Sequence, residues 1–178
     1  GQFVTTAGIV TALRSSGFYV QTPDGLDDLD PSTSEGLFVF TSGATVKPAV
    51  GDDVRVSGIV SEFAPAPPSP PLTELGGGPL FSVIGSMQPL PLPIVLHPSD
   101  TSPTGPLEQL EKYEGMRVQA DLSVIAPTEG TVFESDATAS SSGVFYAVVD
   151  GVPRPMREPG LDPASLAPAG LPCCVPRF

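Results

Sequence analysis

Asp53–Phe63 reads DVRVSGIVSEF, and its alternation decides the fold class. Val54, Val56 and Val60 fall on one side of an extended chain, with Arg55, Ser57 and Ser61 on the other. That period of two belongs to a strand with one buried face. Gly58 interrupts the apolar side, where a strand curling around a barrel needs a bend. Upstream, Phe3–Leu13 (FVTTAGIVTAL) is a second long run, bent in the same way at Gly8. Between them, Gly17–Thr22 (GFYVQT) and Gly36–Thr41 (GLFVFT) are short, opened by glycine and rich in aromatic and β-branched residues, which predicts two further strands. Downstream, Ala64–Pro71 (APAPPSPP) lacks the N–H groups of a central strand and reads as a stiff, polyproline-like loop. A fifth strand is expected at Leu80–Met87. Gln88–Pro98 (QPLPLPIVLHP) reads as an extended apolar segment crossing the outside. Five short strands with a glycine-bent first strand point to a small closed or nearly closed barrel.

The second half opens on the expected helix. Pro106–Tyr113 (PLEQLEKY) has Leu107 and Leu110 at helical spacing and Gly115 just beyond its end. Strands are expected at Met116–Ile125, Thr131–Glu134 and Gly143–Val149, with Ser135–Ser142 as a polar loop. Three strands are too few to stand alone, so this half is expected to pack on the barrel. From Pro153 the chain is proline-rich and irregular. The reading is therefore an all-β protein: a five-stranded barrel domain over 1–98, a short helix and smaller β extension over 99–152, and a proline-rich tail over 153–178.

Composition narrows the function. Twenty acids against eight Lys and Arg give a net charge of −12 among 178 residues. Affinity for nucleic acid built on phosphate neutralisation needs a basic surface, and this molecule's field repels polyanions. Such acidity maintains solubility, in keeping with an extracellular setting. No apolar stretch reaches the roughly 18 residues of a membrane span, so no membrane partner is expected. Gly1–Ala7 has neither the basic start nor the apolar core of a signal peptide, as expected of the mature or trimmed form of an exported protein. The two cysteines, Cys173 and Cys174, are adjacent. A bridge between neighbours is strained, so they read as free or paired with another copy.

The order of segments GIVTA, GFYVQTPDGLDDLDPSTSEGLFVF, VGDDVRVSGIVSEF, TEL and YEGMRV resembles the OB-fold domain of secreted bacterial nucleases. The closing GVFYAVVDGVPRPMREPG and VPRF resemble the stretch leading into the catalytic domain of those proteins, which is of the endonuclease/exonuclease/phosphatase type. The resemblance covers most of residues 4–160. It implies an OB barrel, an extracellular location and a non-catalytic role beside a downstream nuclease domain. The proline-rich insertion before Leu72 departs from the family pattern and lengthens a loop that OB folds use for ligands.

Metal-dependent phosphodiester hydrolysis needs clustered carboxylates and a base. The single histidine, His97, lies between Leu96 and Pro98 with no partner in sequence, and no Cys/His metal spacing exists. The chain is therefore not expected to be an enzyme by itself. Asp24, Asp27, Asp28, Asp30 and Glu35 form an acidic loop. Such a set suits calcium, which takes six to eight oxygen ligands, and it also suits a solvated loop of local Asp and Ser turns. For nucleic acid, an OB face works through aromatics on its second and third strands. Tyr19, Phe38 and Phe40 are the candidates, with Gln21, Arg14 and Arg55 as polar neighbours. Phe18 and Val20 are natural core partners, which leaves Tyr19 facing out. In GLFVFT either Phe38 and Phe40 face inward and Val39 outward, or the reverse. Arg154 and Arg157 would meet phosphate or anchor the tail to an acidic surface. Three functions compete: a nucleic-acid-presenting module, a self-assembling extracellular subunit using its extended arms, and calcium-dependent binding of a carbohydrate or other polymer.

Overall fold

A computed structural model describes residues 1–44, 46–64, 71–102, 104–126, 130–133, 135–141 and 146–152. The expectations for the proline loop's centre, the tail, Arg154, Arg157, Cys173 and Cys174 lie outside these. The described residues form eleven strands: β1 (Phe3–Arg14), β2 (Gly17–Gln21), β3 (Gly36–Phe40), β4 (Asp53–Phe63), β5 (Leu72–Gly85), β6 (Ile94–Val95), β7 (Val118–Gln119), β8 (Leu122–Ala126), β9 (Gly130–Phe133), β10 (Thr138–Ser141) and β11 (Tyr146–Val149). The protein is all-β. Among the described residues no helix is long and apolar enough to cross a membrane.

The first five strands close on themselves in the order β1-β2-β3-β5-β4. β1 makes closure possible by serving two partners. Its first half pairs with β4, from Phe3 opposite Ile59 to Ile9 opposite Asp53. Its second half pairs with β2, from Ile9 opposite Gln21 to Arg14 opposite Gly17. At the changeover a Cβ on Gly8 would lie 2.8 Å from the Gln21 carbonyl oxygen, so only glycine lets the two strands approach. The ring is completed by a short parallel contact of β3 with β5, Phe38 opposite Glu74 and Val39 opposite Leu75.

Inside sit Val10, Phe18, Val20, Val39, Val54, Val56 and Leu75, with Val4, Leu37, Val60 and Phe81 packed against them. Phe18 meets Phe81 edge to face at 5.4 Å. Burial of each such side chain contributes roughly 1.5–3 kcal/mol, and their alternation along β2 and β4 fixes which face turns inward.

Four elements differ from expectation. β5 starts at Leu72 rather than Leu80. It runs straight through Gly76–Pro79, whose composition reads as a turn. The step from Ile59 to Ser57 on β4 is matched by Gly76 to Leu80 on β5, a bulge in which Gly77 and Gly78 hold positive φ. The helix is a 3₁₀ helix over Leu107–Tyr113. The strand expected from Met116 is split into β7 and β8. The polar loop contains β10, which pairs with β9, and its Thr, Ala and Ser residues carry no apolar alternation that would reveal a strand.

Of the segment Gln88–Pro98, Ile94–Val95 forms β6, which pairs in parallel with β7, and Pro98 opens a 3₁₀ turn. The chain divides into two compact units, Gly1–Ala120 and Asp121–Phe178. The strap formed by 88–119 thus belongs to the barrel unit. In the second unit β8 pairs with β11 and β9 with β10.

Candidate functional site

Phe18 pairs with Val39 across the β2–β3 ladder, and Tyr19 with Phe38. Phe18 and Val39 are both fully buried in the core, so alternation turns Tyr19, Phe38 and Phe40 to the outer face. This resolves the ambiguity of GLFVFT in favour of Val39 inward. The Tyr19 and Phe38 rings lie 4.9 Å apart, tilted by 46°. Arg14, at the end of β1, donates to the Tyr19 hydroxyl at 3.4 Å, and its guanidinium lies 5.9 Å from the Phe38 ring centre. Phe38 is nonetheless only 3% exposed. Its ring reaches across Gly17, where a Cβ would sit 2.8 Å from Phe38 Cζ. Phe38 therefore floors the platform, while half-buried Tyr19 and Phe40 offer surface.

Lys47, which the sequence does not single out, braces this end. Its ammonium donates to the carbonyls of Arg14 and Ser15 at 2.5 and 2.6 Å. One cation, Arg14, thus sits beside two aromatic rings, and a second, Lys47, braces the backbone that carries it.

Two expected partners lie elsewhere. Gln21 is 4% exposed, and its Oε1 accepts the Arg117 backbone N–H at 2.9 Å. It ties the strap to β2 and has no free surface for a ligand. Arg55 is exposed, but it stands opposite Ala7 and Ser82, on the part of β1 remote from Arg14. The barrel's curvature separates residues that a flat reading of the strands puts together.

Asp28, Asp30 and Glu35 act as braces within their own loop, and Asp24 reaches beyond it. Asp24 accepts the Leu92 N–H at 3.0 Å, tying the strap to the loop. Asp28 accepts the Asp30 N–H at 2.8 Å and the Thr33 hydroxyl at 2.9 Å. Glu35 accepts the Asp28 N–H at 2.9 Å. Asp30 accepts the Ser32 hydroxyl at 2.6 Å and its N–H at 2.9 Å. These hydrogen bonds favour the charged form and hold Asp30 below its ordinary range. Among the described residues no group of three or more His, Cys, Asp or Glu is arranged to hold a metal ion. The five acids instead edge a cleft of about 720 Å³, whose facing wall is Leu92, Ile94, Tyr113 and Met116 of the strap.

His97 is exposed, and its backbone N–H donates to Asp100 at 2.9 Å, capping the 3₁₀ turn Pro98–Asp100. Glu114, also unmarked in the sequence, accepts the Thr73 N–H at 3.2 Å. Burial pushes its carboxyl above the ordinary range.

Comparison of the chain with family models, curated proteins and solved structures returned no match.

Proposed function

We propose that this chain is a non-catalytic OB-type module of a secreted, nuclease-like protein, and that it holds nucleic acid on the outer face of β2 and β3. The observation that carries the reading is half-buried Tyr19 on the outer face, set against covered Phe38 with Arg14 beside both rings. Five strands in the order β1-β2-β3-β5-β4 fit the Greek-key barrel of that class, which binds oligonucleotides on its second and third strands. Base–aromatic stacking is worth about 1–3 kcal/mol per base and tolerates any sequence. With a net charge of −12, stacking must supply what phosphate contacts do not. Hydrolysis would belong to a neighbouring catalytic domain.

The test is a titration of fluorescent single-stranded DNA and RNA at low salt, with and without calcium, against wild type and Tyr19→Ala. Binding that Tyr19→Ala weakens supports the reading. No binding in either condition, or binding indifferent to Tyr19, sinks it.

A second reading, self-association of an extracellular subunit, has its own observation. Phe3 and Ile59 pair across β1 and β4 on the outside, and Leu80 stands on β5 opposite Ser57. Their exposures of 66%, 41% and 75% leave an apolar strip of the sort that marks association surfaces. Light scattering that finds only monomer at high concentration removes this reading.

A further inference from the structure

β5 has two neighbours over its first half only. β3 meets it at Glu74 and Leu75. Beyond the bulge at Gly77 and Gly78, Leu80–Gly85 pairs with β4 from Ser57 to Asp53, and among the described residues no strand takes its other side. Every second residue of an antiparallel strand turns its backbone N–H and C=O away from a given neighbour. This stretch therefore offers a row of backbone groups to a further strand.

Its side chains are those of a strand covered on both faces. β4 alternates apolar and polar, whereas Leu80–Ile84 reads LFSVI and is apolar throughout except at Ser82. Phe81 turns inward onto Phe18, while Leu80, Val83 and Ile84 are 75%, 47% and 57% exposed. Charged side chains and prolines guard most natural edges, and Leu80–Gly85 has neither.

Charge identifies the occupant. From Leu75 to Ser99 there is no Asp, Glu, Lys or Arg, the longest such run in a chain of net charge −12. A basic partner would be met by acids, which this chain carries in number elsewhere. A two-fold contact instead sets a patch against itself, where like charges facing one another are penalised. On an acidic chain the surface that meets its own copy must be neutral, and this edge is.

We propose that Leu80–Gly85 is the pairing edge of a closed dimer, running antiparallel to the same stretch of a second copy. The inference rests on the self-association reading and names its surface. A two-fold axis at Ser82 sets Phe81 beside the partner's Val83 on the inner face and Leu80 beside the partner's Ile84. The sheet then runs from β4 and β5 into the partner's β5 and β4. Each edge covers the other, so assembly stops at two copies.

Analytical ultracentrifugation of the full chain tests this, in reductant so that Cys173 and Cys174 form no bridge. The mass should rise with concentration to twice 18.3 kDa and no further. Added salt should tighten the dimer, because it screens the net charge and breaks no ion pair. At about ten times the dissociation constant, alternate amides of Leu80–Gly85 should exchange about tenfold more slowly, with β2 unchanged. Ser82→Glu should weaken the dimer about tenfold or more by opposing two carboxylates at the axis. Within one chain the new carboxylate stands opposite exposed Arg55, so the fold holds. Monomer alone at high concentration overturns both the proposal and the self-association reading. Association that passes two copies, loosens with salt, leaves exchange over Leu80–Gly85 unchanged or ignores Ser82→Glu overturns the proposal and leaves that reading standing.

Discussion

Tyr19 and Phe38 stack on each other, yet their substitutions should separate function from stability. Tyr19 is half-buried and its hydroxyl meets only exposed Arg14. Tyr19→Ala is expected to weaken single-stranded nucleic acid by about 1–3 kcal/mol, read by fluorescence anisotropy, with little change in Tm. Phe38 fills the space over Gly17 and is almost wholly covered. Phe38→Ala is expected to cost about 3 kcal/mol or more in urea unfolding, whatever it does to binding. Gly8 gives a third test at this scale. A methyl group there meets the Gln21 carbonyl, so Gly8→Ala should destabilise by about 1–3 kcal/mol. A stability equal to wild type would show that β1 bends elsewhere. Of the residues that decide these outcomes, Gly8 is marked by its type and Tyr19 by its neighbours, but Phe38 is not. Phe38 and Phe40 read the same facing in or out, because an unbroken apolar run satisfies both phases of a strand.

Elements differ in how much of themselves they show in sequence. β4 runs over Asp53–Phe63 with the bounds its alternation predicts, because a strand buried on one face carries its own register. β5 hides its first half, since its glycines belong to a bulge that only the partner strand reveals. β6 and β7 are two-residue strands from distant segments, held by Ile94 N–H to the Arg117 carbonyl and Leu96 N–H to the Gln119 carbonyl, each at 2.9 Å. Nothing local encodes them. The strap's docking rests on Gln21, whose replacement by Ala leaves a part-buried Arg117 N–H unpaired. The expected cost is about 1–3 kcal/mol, seen as faster hydrogen exchange over 91–96 and 117–119 while β4 stays protected. Unchanged exchange there would show that Asp24 and the β6–β7 pair suffice. The acidic loop has the opposite pH sense to Glu114. Asp30 is held charged by Ser32, so its bracing is present above the unfolded pKa and lost as pH falls through the lower folded value. Asp30→Asn is expected to remove the acid-induced change in the chemical shifts of Ser32, and a persisting change would refute this account.

At the scale of the molecule, charge is the governing quantity. Twenty acids against eight bases leave few sites for counterion release, so binding on the β2–β3 face should depend weakly on salt. A slope of log K against log salt of about −1 to −2 is expected, reflecting Arg14 and Lys47. A slope several times steeper would mean a phosphate-tracking surface and would refute the stacking account. The closed ring of β1 to β5 also sets what association can use. β5 meets β3 only at Glu74 and Leu75, which leaves its second half paired on one side alone, so under the self-association reading copies would meet along that edge or through exposed side chains such as Phe3 and Leu80.

By itself the sequence determined the all-β class, the four strands before Phe63, the acidity and the inward residues of β2 and β4. Those follow from local alternation and from charge, which need no knowledge of neighbours. Tertiary structure alone decided that Phe38 faces outward yet is covered, that Gln21 holds the strap, that Arg55 stands apart from Tyr19, and that burial raises the Glu114 carboxyl. Each of these depends on which segments the barrel's closure brings together. Burial and electrostatics at one residue are set by residues tens of positions away, and no local pattern records them.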